Sequence, residues 1–365
     1  MRRFELIHDD VVEPVEEYRS GGYHPVHFGD LFYRRYEVTG KLGYGQSATV
    51  WLAFDHKHER QVSLKIVKAD YSQRSKELGI FRYLSKSKLE HPGKKYVLEL
   101  LDHFEPHGPN GKHMCLVFPV MLCDGDAGSL GIPFDAITTK AICRHITLGL
   151  DYIHRSGLIH CDLQPANILF SVPSATLPLI KPKFYPVKWR DGVVADTSAP
   201  KYLMSSQKAR GTLNGMDISR IVAKIGDLDG ATLNHMLNIE QPITPWPLRA
   251  PEVVLKEKWD ASIDIWTLGC LIFQLATGEP LFKIDGCALT TGQYNEEHKR
   301  LIAEKIDVND ATFATYVRCR LPSSFSTENR RDLTSFLRGM LQIDRRRRKS
   351  TTQLLRHPWV SVIAN

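Results

Sequence analysis

Between Tyr36 and Val67 apolar and polar residues alternate in three short runs, Tyr36–Leu42, Ala48–Phe54 and Gln61–Val67, rich in β-branched side chains and parted by turn residues. A period of two with that composition predicts strands joined by hairpins. The period then lengthens: Leu78, Phe81 and either Leu84 or Ser85 predict a helix over 74–85. Two further strands fit Val97–Leu101 and Met114–Val120, so a sheet-rich unit ends near residue 122. Helices dominate beyond it. Ile142, Ile146, Leu150 and Ile153 share one face of a helix that Thr138 or Thr139 can cap and Gly157 stops. Ile263–Thr277 is apolar on nearly every side, which predicts a helix buried all round and ended by Gly278. Residues 1–27, polar and rich in Glu and His, read as a loosely docked arm. Five prolines and no sustained period between Ser171 and Arg220 predict a structureless insert.

Composition narrows the class. The 365 residues are 42% hydrophobic and 24% charged, ordinary for a soluble globular chain and unlike disordered, collagen-like or membrane proteins. Seven cysteines without a Cys-x-x-Cys pair read as reduced intracellular thiols rather than a disulfide framework or a zinc site. Met1–Asp10 lacks the apolar core of a secretory signal, and Ile263–Ala276 is too short to span a bilayer. Cytoplasm or nucleus is the expected location. The net charge of +7 is concentrated: the insert 171–220 holds eight basic and three acidic residues, and Arg345–Lys349 adds five more positive charges. The remainder is mildly acidic, so the basic total is poor evidence for nucleic-acid binding.

Four stretches carry candidate chemistry. Leu42, Gly43, Tyr44, Gly45, Gln46, Ser47, Ala48, Thr49 and Val50 join two predicted strands, and glycines at 43 and 45 let backbone N–H groups approach a phosphate. A tight turn would explain the same glycines. Lys65, in the run Val62–Ile66, is either an edge lysine or a phosphate-gripping ammonium held by Glu77 on the next helix. Leu158–Leu169 sets Asp162 and Asn167 five positions apart on a short loop between a helix and an apolar strand. Asp162 can accept or orient a hydroxyl proton, and Asn167 can ligate a divalent metal. Asp227, just past the strand Ile221–Ile225, is a second metal-ligand candidate, since Mg²⁺ favours carboxylate and phosphate oxygens.

In this order these residues resemble the protein kinase family from about His24 to Val360, and the SR-protein kinases of the CMGC group in particular. Tyr23–Phe32 is similar to that group's N-terminal lead-in, Lys41–Leu52 to its Gly-rich loop, and Asp264–Phe282 to its buried helix and exit. The insert falls where the group carries a spacer. Ala250-Pro251-Glu252, preceded by Arg249, resembles the end of an activation segment, which implies a buried pair between Glu252 and Arg348. The implied fold is α+β and two-lobed: a small antiparallel β-rich N-lobe with one main helix over 28–122, and a larger helical C-lobe over 123–361, together one catalytic domain behind the arm 1–27.

The implied activity is an ATP- and Mg²⁺-dependent protein serine/threonine kinase. The Gly-rich loop covers the phosphates, Lys65 and Glu77 act as a pair, Asp162 orients the acceptor hydroxyl, and Asn167 and Asp227 hold Mg²⁺. Adenine sits against the backbone near Pro119 and Met121, with Phe118 behind it. The implied partners are protein substrates, Arg/Ser-rich as in splicing factors, docked on acids such as Asp285, Glu296 and Glu297. No nucleic acid, membrane or second subunit is expected.

Several positions depart from the family pattern. Cys161 replaces an arginine that grips a phosphorylated activation loop, a feature shared with SR-protein kinases. Gln164 replaces a lysine that neutralises the transferring phosphoryl group, and Asp229 replaces a glycine. Thr244 is one residue out of the family spacing and receives no role. The replacements at Gln164 and Asp229 keep a pseudokinase or scaffold as the alternative, and the His160–Asn167 loop, similar to that of antibiotic phosphotransferases, keeps a small-molecule kinase as a third.

Overall fold

The computed structural model describes residues 2–7, 11–126, 134–172, 181–206, 213, 218–234, 244–284 and 290–361. The alternating run becomes contiguous antiparallel strands: β1 (Leu31–Phe32), β2 (Tyr36–Tyr44), β3 (Ala48–Asp55) and β4 (Arg60–Val67). With β5 (Asp102–Phe104) and β6 (Cys115–Pro119) they form one sheet in the order β1-β2-β3-β4-β6-β5. The inward set, including Tyr36, Val38, Trp51, Leu64, Ile66 and Val117, makes the core, as a period-two pattern requires. The strand expected over Val97–Leu101 is displaced. Val97 forms a lone parallel bridge with Ile225, and pairing in the sheet begins only at Asp102.

The chain divides into two compact units: Met1–Leu78 with Leu98–Met121 and Thr176–Ala209, and Gly79–Val97 with Leu122–Ala175 and Arg210–Asn365. The main helix of the sheet-rich stretch, α1 (Glu77–Lys86), buries Ile80, Phe81 and Leu84. In the second unit α2 (Ala136–Arg155) and α3 (Ser262–Thr277) are the buried helices, and Gly278 ends α3 in the left-handed region at φ 76°. The cap of α2 differs from the expected Thr138 or Thr139. Asp135 accepts from the Thr138 N–H at 2.7 Å, while the Thr139 hydroxyl bonds back to the Asp135 carbonyl.

The arm and the insert require correction. Phe4, Tyr18 and Tyr23 are buried, and with Leu203, Tyr185 and Trp189 of the insert they form a second small core in the first unit. Within the insert β7 (Phe184–Pro186) pairs antiparallel with β8 (Tyr202–Met204). Neither segment is amphipathic; each supplies isolated aromatic anchors to a joint core, a pattern without a period.

Candidate active site

In the first unit β2 and β3 close over the glycine-rich turn, where the Gly45 N–H donates to the Ala48 carbonyl at 2.8 Å. Register shifts between Val38 and Gly40 and between Lys41 and Gly43 mark irregular pairing just before the turn. A Cβ at Gly45 would meet open space, so backbone is accessible there. Lys65 lies opposite Val50 on β3 and Leu116 on β6. Its Nζ donates to Glu77 Oε2 at 2.7 Å, and the carboxylate is buried. The alternation of β4 thus aims an ammonium at the first turn of α1, as the spacing of twelve residues suggested. Pro119 ends β6 with Met121 two residues on, and Phe118 is buried opposite Ser63.

The second unit assembles the other group by sheet pairing. Strand β9 (Ile168–Ser171) runs antiparallel to β10 (Val222–Ile225), with Ile168 opposite Ile225. Continuing that ladder, the Gly226 N–H donates to the Asn167 carbonyl at 2.8 Å, which delivers Asp227 beside the loop. Asp162 Oδ2 accepts from Gln164 Nε2 at 2.9 Å and Asn167 Nδ2 at 3.2 Å. Its other oxygen, Oδ1, is buried and has no hydrogen-bond partner among the described residues. Burial pushes this carboxyl up to about 7; the Gln164 hydrogen bond pulls the other way, and the nearby Asp227 charge adds to the rise.

Three residues to which the sequence assigned no role hold this loop. Asp264, the acid inside apolar α3, accepts from the His160 and Cys161 N–H groups at 2.8 and 3.0 Å and pairs with His154 at 2.9 Å. Burial alone would raise its pKa, but these donors outweigh burial and hold it below the ordinary carboxylate range. A lone carboxylate in a fourteen-residue apolar run was the available signal. His160 is fully buried, accepts from the Asp162 N–H through Nδ1 and donates to the Gly226 carbonyl through Nε2. Its burial lowers its pKa, which suits that neutral tautomer. Thr244 donates to the Cys161 carbonyl at 2.5 Å, so the residue set aside for its spacing does sit against the catalytic-type loop.

Cys161 and Asp227 take φ 64° and 54°, a left-handed backbone rare for such residues. At Cys161, Asp264 and Thr244 pin both sides of the peptide. Asp229, at the glycine position of the motif, is not in that region. Its side chain therefore imposes no left-handed strain. The acids expected to dock basic substrate are engaged: Glu296 pairs with Lys299 at 2.8 Å and Glu297 with Arg300 at 2.8 Å on one helix, α4 (Thr291–Lys305). Asp285 and Cys287 lie outside the described residues.

The donors suit a hard cation. The Asn167 amide nitrogen is engaged with Asp162, which leaves its carbonyl oxygen as an acceptor. Among the described residues no cluster of three or more His, Cys, Asp or Glu could hold a metal unaided. Mg²⁺ binds in that way, through one or two carboxylates completed by phosphate and water oxygens.

The protein kinase domain family matches residues 36–182 and 214–360. The chain is 31% identical over 407 residues to the serine/threonine-protein kinase SRPK of Physarum polycephalum, covering 97% of this chain and 92% of that protein. Protein kinase dsk1 of Schizosaccharomyces pombe is 30% identical across 74% of this chain and 66% of its own length. SRSF protein kinase 3 of Homo sapiens is 35% identical over 178 residues, 46% of this chain and 31% of that one. A crystal structure of a kinase domain, 21% identical, shares the fold with a TM-score of 0.64 over 93% of this chain and 98% of its own. The chain has the protein kinase fold and belongs to the protein kinase family, within the serine/threonine kinases of its SR-protein-kinase branch.

Proposed function

We propose that the chain transfers the γ-phosphoryl group of Mg-ATP to serine hydroxyls in Arg/Ser-rich protein segments. The observation that carries this reading is the state of Asp162. One oxygen is held by two amide donors, and the other is buried and has no hydrogen-bond partner among the described residues. A serine hydroxyl donating to Oδ1 would satisfy it and point its oxygen lone pair at a phosphorus atom. The Gly-rich turn of residues 42–50 covers the phosphates with backbone N–H groups. Lys65, oriented by Glu77, places a positive charge on them, and the backbone near Pro119 and Met121 receives adenine. Asn167 and Asp227 would hold Mg²⁺, which neutralises charge on the phosphate oxygens when bound. Gln164 contributes orientation of Asp162 and no charge.

Arginine-rich context is supported by the branch of the family and by the mildly acidic remainder of the chain. A serine peptide flanked by arginines should be phosphorylated with a kcat/KM at least tenfold above the same peptide with alanine at those positions. Equal values for the two peptides, measured with labelled ATP, would remove the substrate assignment and leave the kinase activity standing.

A further inference from the structure

Two long stretches lie outside the protein kinase match, residues 1–35 and 183–213, and the described residues of 1–35 and of 183–206 fold together in the first unit. The Phe4 and Trp189 ring centroids are 4.4 Å apart. The Glu5 N–H donates to the Lys188 carbonyl, the Arg190 N–H to the Arg3 carbonyl, and the Ser206 N–H to the Val11 carbonyl, at 2.9, 3.0 and 2.9 Å. Arg3 in turn donates to the Tyr18 carbonyl at 2.7 Å. These contacts make one cap from two sequence-distant pieces.

The cap grips the glycine-rich turn at two points. Glu13 is buried and accepts from the Tyr18 hydroxyl through one oxygen and from Lys41 Nζ through the other. Lys41 is the residue before Leu42, fully buried, with its ammonium over the Trp51 ring at 5.1 Å. At the tip of the turn the Tyr23 hydroxyl donates to the Gly45 carbonyl at 2.6 Å. Tyr23 is itself held, since Lys68 Nζ lies 4.3 Å from its ring centroid and pairs with Glu17 at 2.8 Å. The Lys68 N–H reaches back to the Ser47 carbonyl at 2.8 Å, closing the circuit on the turn.

A turn with glycines at 43 and 45 has little side-chain packing of its own and would sample many backbone states. A buried ammonium is costly without a charged partner, and Glu13 supplies that partner to Lys41. We propose that Glu13 and Tyr23 are positioning residues for the nucleotide: the cap built from these two stretches holds the glycine-rich turn in the pose that covers ATP phosphates. Neither residue touches the reacting atoms. The proposal rests on the reading of residues 42–50 as the phosphate-covering turn.

The test uses the full chain, with Glu13→Gln, Tyr23→Phe and, as a reference, Lys65→Met. Fluorescent ADP binding by anisotropy is read beside KM for ATP, KM for an arginine-serine peptide and kcat. Both positioning variants should weaken ADP binding and raise KM for ATP about tenfold, with kcat and peptide KM within twofold of wild type. Tyr23→Phe removes a single oxygen and keeps the test open should Glu13→Gln fail to fold. Lys65→Met weakening nucleotide binding while Tyr23→Phe changes it less than twofold would overturn the clamp alone. No loss from Lys65→Met either would overturn the nucleotide site and the clamp with it. A fall in kcat and melting temperature together with a rise in peptide KM would show a merely structural cap and overturn the proposal as well.

Discussion

Asp162→Asn should lower kcat by roughly 10²- to 10⁴-fold, the range for loss of a positioned proton acceptor, while nucleotide binding stays within a fewfold of wild type. The substitution preserves shape and reverses hydrogen-bond capacity. Gln164 Nε2 and Asn167 Nδ2 both donate to Oδ2, so the asparagine carbonyl must take that place. Its NH₂ group then occupies the position of Oδ1 and presents donors to an incoming hydroxyl. The acceptor can no longer be oriented through its proton. Steady-state kcat on an arginine-serine peptide, with ADP affinity measured on the same preparation, reads this out. A kcat within tenfold of wild type would mean that Asp162 does not face the acceptor.

The largest loss of stability is expected at Arg348. Its two terminal nitrogens meet Glu252 Oε1 and Oε2 at 2.6 and 2.7 Å, and both side chains are buried. The same guanidinium donates through Nε to the Gln342 carbonyl at 2.8 Å and through a terminal nitrogen to the Ser262 carbonyl at 3.0 Å. It also lies 5.2 Å from the Trp266 ring centroid. Removing one partner leaves a buried charge and several orphaned acceptors, so Arg348→Met and Glu252→Gln should each cost about 3–5 kcal/mol. Arg348→Lys should rescue little, because an ammonium cannot reproduce the planar fork. The double replacement Glu252→Gln with Arg348→Met should lose clearly less than the sum of the singles. Urea denaturation followed by tryptophan fluorescence measures all four. Single variants within 1 kcal/mol of wild type would show that the pair contributes geometry without energy.

Much of this was legible in the residues. The β2–β3–β4 hairpins follow from period-two alternation with β-branched side chains, and the Lys65–Glu77 pair from one strand facing the next helix. The loop from Asp162 to Asn167 and the aspartate past β10 were legible as types and spacings. Sheet register, which no local pattern reports, then set Asn167 beside Gly226 and Asp227. The Glu252–Arg348 pair joins positions 96 apart and came only from resemblance to the family.

What stayed hidden has physical reasons. The cap of arm and insert is made of single anchors such as Phe4, Tyr18, Trp189 and Leu203, each buried by a partner far along the chain, so neither piece shows a period. Glu13 and Lys41 look like ordinary surface charges until each is seen to neutralise the other inside the protein. Asp264 was visible as an anomaly in an apolar helix but not as the acceptor for His160 and Cys161. The cap of α2 was misplaced because Asp135, Thr138 and Thr139 are all capping residue types within one turn, and only the backbone path decides among them.

Phosphoryl transfer itself is tested most directly with the purified full chain, labelled ATP, Mg²⁺ and an arginine-serine peptide, comparing wild type with Asp227→Ala. Label should appear on serine with the wild-type chain and not above background with Asp227→Ala. Equal, background-level signals from the two would contradict catalysis by this site.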